Sequence, residues 1–220
     1  MKNTVTCMKK ILVLAAALCL ALCVFGAGCV DNDEPSGGGG ASSGEELDVK
    51  VGDSFTIGTY NGKALEWDVL AVDKKNEKAL LITKDIVSLV QFNTLEESSV
   101  WGGSSARDWL ASDFFFNAFS DEEQMDVLET EITAGGTSTL DRVFLLSEGE
   151  ASQYFEDDKA RRSNFNGELE DWWTLSVGED TSSAVVVLGE GSIFHDGYDV
   201  KNFEGIRPAF WLDLSADEEE

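Results

Sequence analysis

No cysteine follows Cys29 in this 220-residue chain, so any later domain must fold without disulfides or thiolate-bound metals. The span from Leu47 to Leu214 is long enough for one domain that buries roughly 70% of its unfolded surface. It contains all six tryptophans and twelve of the thirteen phenylalanines. We therefore expect a single globular domain over residues 47–214, stabilised by an aromatic-rich core.

The first 29 residues have the layout of an export signal. Lys9 and Lys10 precede an unbroken apolar run over residues 11–25, and small residues at 26–28 precede Cys29. This pattern predicts a signal peptide over residues 1–28 and fatty acylation (palmitate) of Cys29, as in bacterial lipoproteins. Gly26 departs from that pattern, which usually has Leu there. Met8 is an alternative start to Met1.

Two alternatives to lipidation remain open. Residues 11–30 are just long enough to span a bilayer of roughly 30 Å as an uncleaved anchor, and simple secretion needs only the signal peptide. All three place the domain outside the cytoplasm, and lipidation places it at the extracytoplasmic face of the cell membrane. Residues 29–46, rich in Gly, Ser and acidic residues, are expected to form a flexible tether, and residues 215–220 an acidic tail.

The charge of the chain excludes one class of partner. With 42 acidic and 16 basic residues, the net charge is −26. Such a chain repels the phosphates of nucleic acids, so we expect no nucleic-acid partner. The charge is typical of a soluble exported domain, and no motif supports a cation-binding surface.

The hydrophobic pattern indicates strands, then helices, then strands, which favours an α+β domain of short antiparallel strands with two or three helices. An Asn-Gly pair at Asn61 predicts a hairpin. Capping boxes predict helices after Ser120 and Ser147. The first of these helices is expected to place Met125, Leu128 and Ile132 on one face, and a third helix is expected over Ser105–Leu110. Further strands are predicted over residues 139–146, 172–176, 184–188, 192–194 and 206–212.

Several blocks in a fixed order resemble a known family. They are Trp101 with residues 106–110, residues 118–120, residues 139–147 with Tyr154-Phe155, Trp172-Trp173, and residues 205–210. In this order they resemble the bacterial domain-of-unknown-function family 6273 over nearly the whole of residues 47–214. The family carries no established activity.

The resemblance also implies a fold. The Trp-Trp and Arg-Pro-Ala blocks are similar to those of C-type-lectin-like domains, which implies that architecture by analogy. This chain departs from the family where Thr174-Leu175-Ser176 lacks an arginine, and where residues 157–170 lack a Thr-Pro-x-Tyr-Ala-like stretch. If that region forms a pocket in relatives, the pocket is expected to be altered or lost here.

Catalytic and metal-binding motifs are missing from the sequence. The domain contains one histidine, His195, so neither a zinc site nor a Ser–His–Asp triad has support, and no EF-hand loop is present. Calcium held by acidic clusters such as Asp157-Asp158 stays an alternative. We expect no cofactor, no resident metal and no catalytic residue, although 42 acids leave many carboxylate pairs for glycoside hydrolysis.

Aromatic and basic residues are the remaining binding candidates: Trp101, Arg107, Trp172, Trp173 and Arg207. Most of the tryptophans are expected in the core. Adjacent residues of a strand point to opposite faces, so one of the Trp172-Trp173 pair is expected to be partly exposed. Each arginine is expected to pair with a carboxylate inside the fold. Lys159, Arg161 and Arg162 form a basic cluster that either docks an anion or partner or supplies a local counter-charge.

The main functional hypothesis is a non-enzymatic, lipid-anchored extracellular domain that binds a carbohydrate, a peptide or a surface protein. The alternatives are a cell-surface carboxylate-dependent hydrolase of glycans and a structural spacer. Two carboxylates in a cleft beside an exposed Trp172 or Trp173 would favour the hydrolase. A shallow aromatic patch without them would favour binding.

Overall fold

The computed structural model describes residues 48–95 and 98–215. The predicted signal peptide, the lipidation of Cys29, the tether to residue 46 and the acidic residues 216–220 lie outside these ranges. The described elements belong to one compact unit, Val49–Ser215. None of the helices in the described ranges is both long and apolar enough to cross a membrane.

Strands dominate the described residues, and the helices between them are short. In chain order the strands are β1 (Ser54–Tyr60), β2 (Lys63–Asp73), β3 (Lys78–Thr83), β4 (Ser88–Gln91), β5 (Val127–Leu128), β6 (Thr130–Ala134), β7 (Thr137–Asp141), β8 (Asn164–Phe165), β9 (Glu168–Leu169), β10 (Trp172–Val177), β11 (Ser183–Val187), β12 (Ile193–Asp199), β13 (Phe203–Ile206) and β14 (Ala209–Asp213). The helices are α1 (Ser105–Trp109), α2 (Phe115–Ala118), α3 (Asp121–Met125), α4 (Glu148–Tyr154) and α5 (Asp158–Arg161).

The strands form two five-stranded sheets and two hairpins. The first sheet has the order β1-β2-β3-β14-β5, and the second has the order β12-β11-β10-β13-β4. Only β10 and β13 pair in parallel among the described strands. The hairpins are β6-β7 and β8-β9. The fold is thus α+β or mostly β, which confirms the predicted class at that level, with more and shorter helices than expected.

Local turn and cap signals correctly predict where elements begin. Tyr60 pairs with Lys63 across a turn in which Asn61 has φ 49° and Gly62 has φ 74°. Both residues therefore adopt the left-handed backbone that Asn and Gly tolerate best, and the predicted hairpin is confirmed. Both predicted capping boxes are also present, at Ser120 and Ser147.

The helix after Ser120 is much shorter than predicted. It ends at Met125, and Leu128 and Ile132, expected on the same helical face, lie instead on β5 and β6. The physical reason is a long-range strand pairing, since Leu128 pairs with Trp211 of β14. The helix predicted over Ser105–Leu110 is present as α1 and continues through a π-helical turn, Leu110–Phe114, into α2.

The chain changes sheets where one continuous strand was predicted. The strand expected over residues 206–212 is confirmed for residues 209–212, but it is not continuous, because β13 ends at Ile206 in the second sheet and β14 begins at Ala209 in the first. Pro208 lacks the N–H that a continuous strand would need at that point. Its carbonyl oxygen instead accepts a 3.0 Å hydrogen bond from the Thr83 N–H.

Both tryptophans of β10 are buried. Trp172 is 1% exposed and Trp173 is 0% exposed, so the prediction that one of them is partly exposed is wrong. Strand β10 lies in the middle of its sheet, and side chains cover both of its faces. The Trp172 indole N–H donates to the Arg161 carbonyl, and the Trp173 indole N–H donates to the Val90 carbonyl.

Candidate functional site

Large exposed apolar side chains converge on one concave surface. Phe116 is 65% exposed, Met125 is 72% exposed and Leu140 is 61% exposed, and all three line a cavity of about 760 Å³. We call this surface the apolar groove. Its floor includes Phe115 and Asp141, and its polar rim includes Asp121, Glu129 and Arg142. Exposed apolar side chains gathered in one concavity mark an interaction surface, whereas isolated ones need no explanation.

The helical segment before Ser120 explains why Phe116 faces solvent. Residues 114–116 are three consecutive phenylalanines, and neighbouring residues of a helix point about 100° apart. The three rings therefore cannot all lie on the same face of the helix. Phe114 and Phe115 are buried, at 0% and 5% exposure, and the third ring is left outside.

Glu123 fixes the turn that brings α2 and α3 together. Its Oε2 accepts a 2.8 Å hydrogen bond from the Ser120 N–H, which completes the capping box. Its Oε1 accepts a 2.9 Å hydrogen bond from the Gly58 N–H of β1. A Cβ added at Gly58 would overlap the carbonyl oxygen of Ala118. The absence of a side chain at Gly58 therefore lets the helical wall of the groove dock on the first sheet.

A buried carboxylate supports the floor. Asp141 is 3% exposed, and its oxygens accept hydrogen bonds from Arg107 Nε at 2.6 Å, Trp101 Nε1 at 2.9 Å and Thr139 Oγ1 at 2.6 Å. A buried carboxylate with this many donors is compensated for its desolvation. Two of the predicted binding candidates, Trp101 and Arg107, thus meet at the end of β7, beneath the groove.

The rim of the groove is acidic. The Arg142 guanidinium donates to the carbonyls of Gln124 and Val127, at 3.0 and 2.9 Å, and lies 5.8 Å from the ring centroid of Phe115. Arg142 therefore supports the end of α3. Asp121 and Glu129 are both exposed on the rim. A ligand with basic groups beside its apolar side chains complements this surface.

The predicted binding residues are mostly internal. Trp101 is 1% exposed and Arg207 is 2% exposed, and with both β10 tryptophans buried, only Arg107 of the five candidates reaches solvent. The expected ion pair of Arg107 is confirmed by its contact with Asp141.

Arg207 differs from the prediction, because its hydrogen-bond partners are backbone carbonyls rather than a carboxylate. Its Nε donates to the Thr83 carbonyl at 2.9 Å and its Nη1 to the Arg161 carbonyl at 3.3 Å. Its guanidinium lies 5.2 and 5.1 Å from the ring centroids of Phe155 and Trp172. Burial lowers the pKa of Arg207 to about 10, so the side chain stays charged at neutral pH.

The basic cluster has a structural use. Arg161 donates to the carbonyl of Gly191 and forms an ion pair with Asp158, and Arg162 donates to the carbonyl of Glu190. The two arginines hold the turn between β11 and β12. Of the two interpretations of this cluster, docking of an anion or partner and a local counter-charge, these contacts correspond to the local one.

Neither a metal site nor a histidine-centred site emerges from the described residues. Within residues 48–95 and 98–215, no group of three or more His, Cys, Asp or Glu side chains is arranged to hold a metal ion. His195 lies exposed on β12, with its Nδ1 2.8 Å from Glu148 Oε2 at the start of α4.

One carboxyl group has a strongly shifted pKa. Burial, followed by the charges of Asp171 and Glu170, raises the pKa of Glu204 on β13 to about 7. Burial and a hydrogen bond to Asp171 likewise raise the pKa of Tyr198 to about 12. Glu204 and Asp171 thus form one candidate carboxylate pair for acid–base chemistry, but Trp172 beside them is buried and offers no surface for stacking a sugar.

The sequence did not identify the groove residues as a site, because their apolar side chains were assigned to the pattern of a helix or a strand. Met125 was expected on one face of a helix with Leu128 and Ile132, and Leu140 near the start of the strand predicted over residues 139–146. A signal for Phe116 does exist in the sequence. Three successive phenylalanines span about 200° of a helix, so a helix that buries only one face leaves at least one of them exposed.

The comparison with protein families identifies the region that contains the groove. A family model described as a domain of unknown function (DUF6273) matches residues 76–214. The chain belongs to this family. The DUF6273 match begins in the turn between β2 and β3, so it leaves out β1 and β2, although both pair within the first sheet. The resemblance is thus confirmed over 76–214. No curated protein and no solved structure matches the chain significantly.

Proposed function

We propose that this domain is a binding module held outside the cytoplasm by a lipid on Cys29, and that its apolar groove binds a short segment of another surface protein. The proposal that the domain binds a partner rests on the convergence of Phe116, Met125 and Leu140 on one concavity. The basic start, apolar run and small residues before Cys29 support the anchor. Residues 29–46, which are rich in Gly, Ser and acidic residues, separate the domain from Cys29 along the chain.

The exposed apolar side chains supply a useful but limited driving force. Burying a whole Phe, Met or Leu side chain contributes about 1.5–3 kcal/mol. At roughly two-thirds exposure the three side chains together supply about 3–6 kcal/mol. Association itself costs about 4 kcal/mol or more, so a partner must add polar contacts to bind at about micromolar Kd.

Charge defines the chemistry of those polar contacts. Asp121 and Glu129 give the rim two negative charges against the one positive charge of Arg142, which is held by backbone carbonyls. The partner segment therefore carries two or more apolar side chains with Lys or Arg close to them. The net charge of −26 adds a long-range attraction for such a segment.

The alternatives have weaker support. A glycan hydrolase that used Asp171 and Glu204 would need an exposed surface for sugar rings beside them, and the neighbouring tryptophans are buried. A role as a structural spacer does not explain why a Phe, a Met and a Leu are exposed around one groove. The C-type-lectin-like architecture is also a proposal. It rests on the Trp-Trp and Arg-Pro-Ala blocks, and the mixed set of short strands and helices is compatible with it.

A displayed peptide library tests the proposal. The full chain, kept soluble in a mild non-ionic detergent, is used to select peptides, and the enriched peptides are measured by fluorescence anisotropy. We expect apolar sequences with Lys or Arg, bound at about micromolar Kd. Phe116→Ser should weaken binding by tenfold or more.

The chain offers a matched control. Phe203 is 64% exposed, against 65% for Phe116, but it lies on β13 and outside the groove. Phe203→Ser should leave peptide binding unchanged. Equal effects of the two substitutions, or no enrichment of any sequence, would show that the groove is not a docking site.

A further inference from the structure

A second concavity of the domain has a different chemistry. It has a volume of about 930 Å³ and lies between the β1–β2 and β8–β9 turns. We call it the polar cleft. Its rims include Asn61 and Asn166, and Thr83 and Asp85 lie in its lining segment 83–88. The volume is within the range of small-molecule pockets, about 300–1,000 Å³.

Two hairpin turns of the same kind present amides at this cleft. Asn61 has φ 49° and is followed by Gly62 with φ 74°, and Asn166 has φ 53° and is followed by Gly167 with φ 92°. Both asparagines are exposed, and their side-chain amides have no hydrogen-bond partner in the described part of the chain. Each amide therefore offers one acceptor and two donor positions to a ligand.

The ionic groups of the polar cleft balance one another, unlike those of the chain as a whole. Lys63 and Lys84 face Glu66 and Asp85 in the lining, so two positive charges meet two negative charges. Lys84 Nζ lies 2.9 Å from Glu66 Oε2. The chain as a whole has 42 acidic and 16 basic residues, but the lining of the cleft has no net charge. The cleft therefore favours neither a cationic nor an anionic ligand.

Thr83, in the lining of the cleft, contains an unsatisfied polar atom. Its Oγ1 is buried and has no hydrogen-bond partner within the described ranges. Its backbone is fully engaged, since its N–H donates to Pro208 and its carbonyl accepts from Arg207. Buried hydroxyls normally have a partner, so one missing in the lining of a cavity points to a polar ligand or to water that the ligand orders.

We infer that the polar cleft binds a short, uncharged oligosaccharide. Sugar hydroxyls both donate and accept, which matches a lining of side-chain amides, carboxylates and a hydroxyl without net charge. The half-buried ring of Phe165 in the same lining gives an apolar surface for the C–H face of a sugar ring. The site is separate from the apolar groove, and the two share no lining residue.

Isothermal titration of the full chain in mild detergent tests this inference. The probes are maltotetraose, cellotetraose and chitotetraose, with a heparin tetrasaccharide as the anionic comparison. At least one neutral tetrasaccharide should bind, and more tightly than the heparin fragment. No binding of any neutral probe at millimolar concentration, or preference for heparin, would overturn the inference.

Substitutions at the turns separate binding from folding. Asn61→Gly and Asn166→Gly keep turns that need a positive φ, because Gly adopts it readily, but remove the amides. Each should weaken binding of the neutral probe tenfold or more, whereas Asn202→Ala, outside the cleft, should not. Wild-type affinity in both glycine variants would refute the assignment.

Two further variants make the result specific. Thr83→Val removes the unpaired hydroxyl at nearly constant volume, so it should raise the urea midpoint of the ligand-free chain and weaken sugar binding. A lower midpoint would contradict the role given to this hydroxyl. Phe116→Ser, in the apolar groove, should leave sugar binding unchanged, and a loss would show that the two sites are not independent.

Discussion

The Asp141 network beneath the apolar groove gives the sharpest stability prediction. Asp141→Ala removes the acceptor for Arg107, Trp101 and Thr139 at once. Breaking a buried ion pair by removing one partner costs about 3–5 kcal/mol. The Trp101 indole N–H is left unsatisfied in a 1% exposed side chain, while Arg107, whose side chain is 21% exposed, recovers some hydration. We therefore expect a loss of about 3–4 kcal/mol in unfolding free energy.

Urea denaturation followed by tryptophan fluorescence and far-ultraviolet circular dichroism measures this loss. Total stabilities of domains are about 5–15 kcal/mol, so the midpoint should fall sharply at unchanged slope. The control is Glu66→Gln, which removes the exposed ion pair with Lys84, where both side chains are more than half exposed. That substitution should cost about 1 kcal/mol or less. A cost for Asp141→Ala no greater than for this control would refute the assignment of a buried supporting carboxylate.

Three further predictions concern other parts of the chain. Gly58→Ala should cost about 2 kcal/mol or more in urea denaturation, since its Cβ overlaps the Ala118 carbonyl at φ 71°, whereas Gly62→Ala, with open space around it, should cost about 1 kcal/mol. Glu204 has a pKa raised from 4.5 to about 7, so the folded state retains a proton that the unfolded chain releases, and stability falls as the pH rises through this window. Glu204→Gln should therefore match wild type at pH 4.5 and exceed it by about 1 kcal/mol, after solvent screening, at pH 7.5. Cys29→Ser should abolish metabolic labelling with a fatty acid and release the chain from membrane fractions.

The features that could be predicted from the sequence are those set by neighbouring residues. The Asn61-Gly62 hairpin and the two capping boxes depend on backbone and side-chain groups within a few residues of each other, so their signals are complete in the sequence. The ion pair of Arg107 was also predictable in kind, because a scarce cation in an acidic chain finds a carboxylate. Its partner, Asp141, lies 34 residues away and was not identified.

The errors share one cause, which is pairing between distant segments. Leu128 looked helical because its spacing from Met125 fits a helix, but the edge of β14 recruits it into a strand. The exposure of Trp172 or Trp173 was expected from alternation along the strand, which holds only for a sheet covered on one face. The apolar groove combines residues from α2, α3 and β7, so its existence could not be read from any one segment.

The position of β14 between β3 and β5 constrains the order in which this domain can be completed. A chain emerging from the ribosome has β1, β2 and β3 available early, but the strand that joins them to β5 comes more than a hundred residues later. Until residues 209–213 arrive, β3 presents an unpaired edge rich in Leu and Ile, which is the kind of edge that associates with other chains. If the first sheet forms only once residues 209–213 are available, this edge is paired by β14 from the outset.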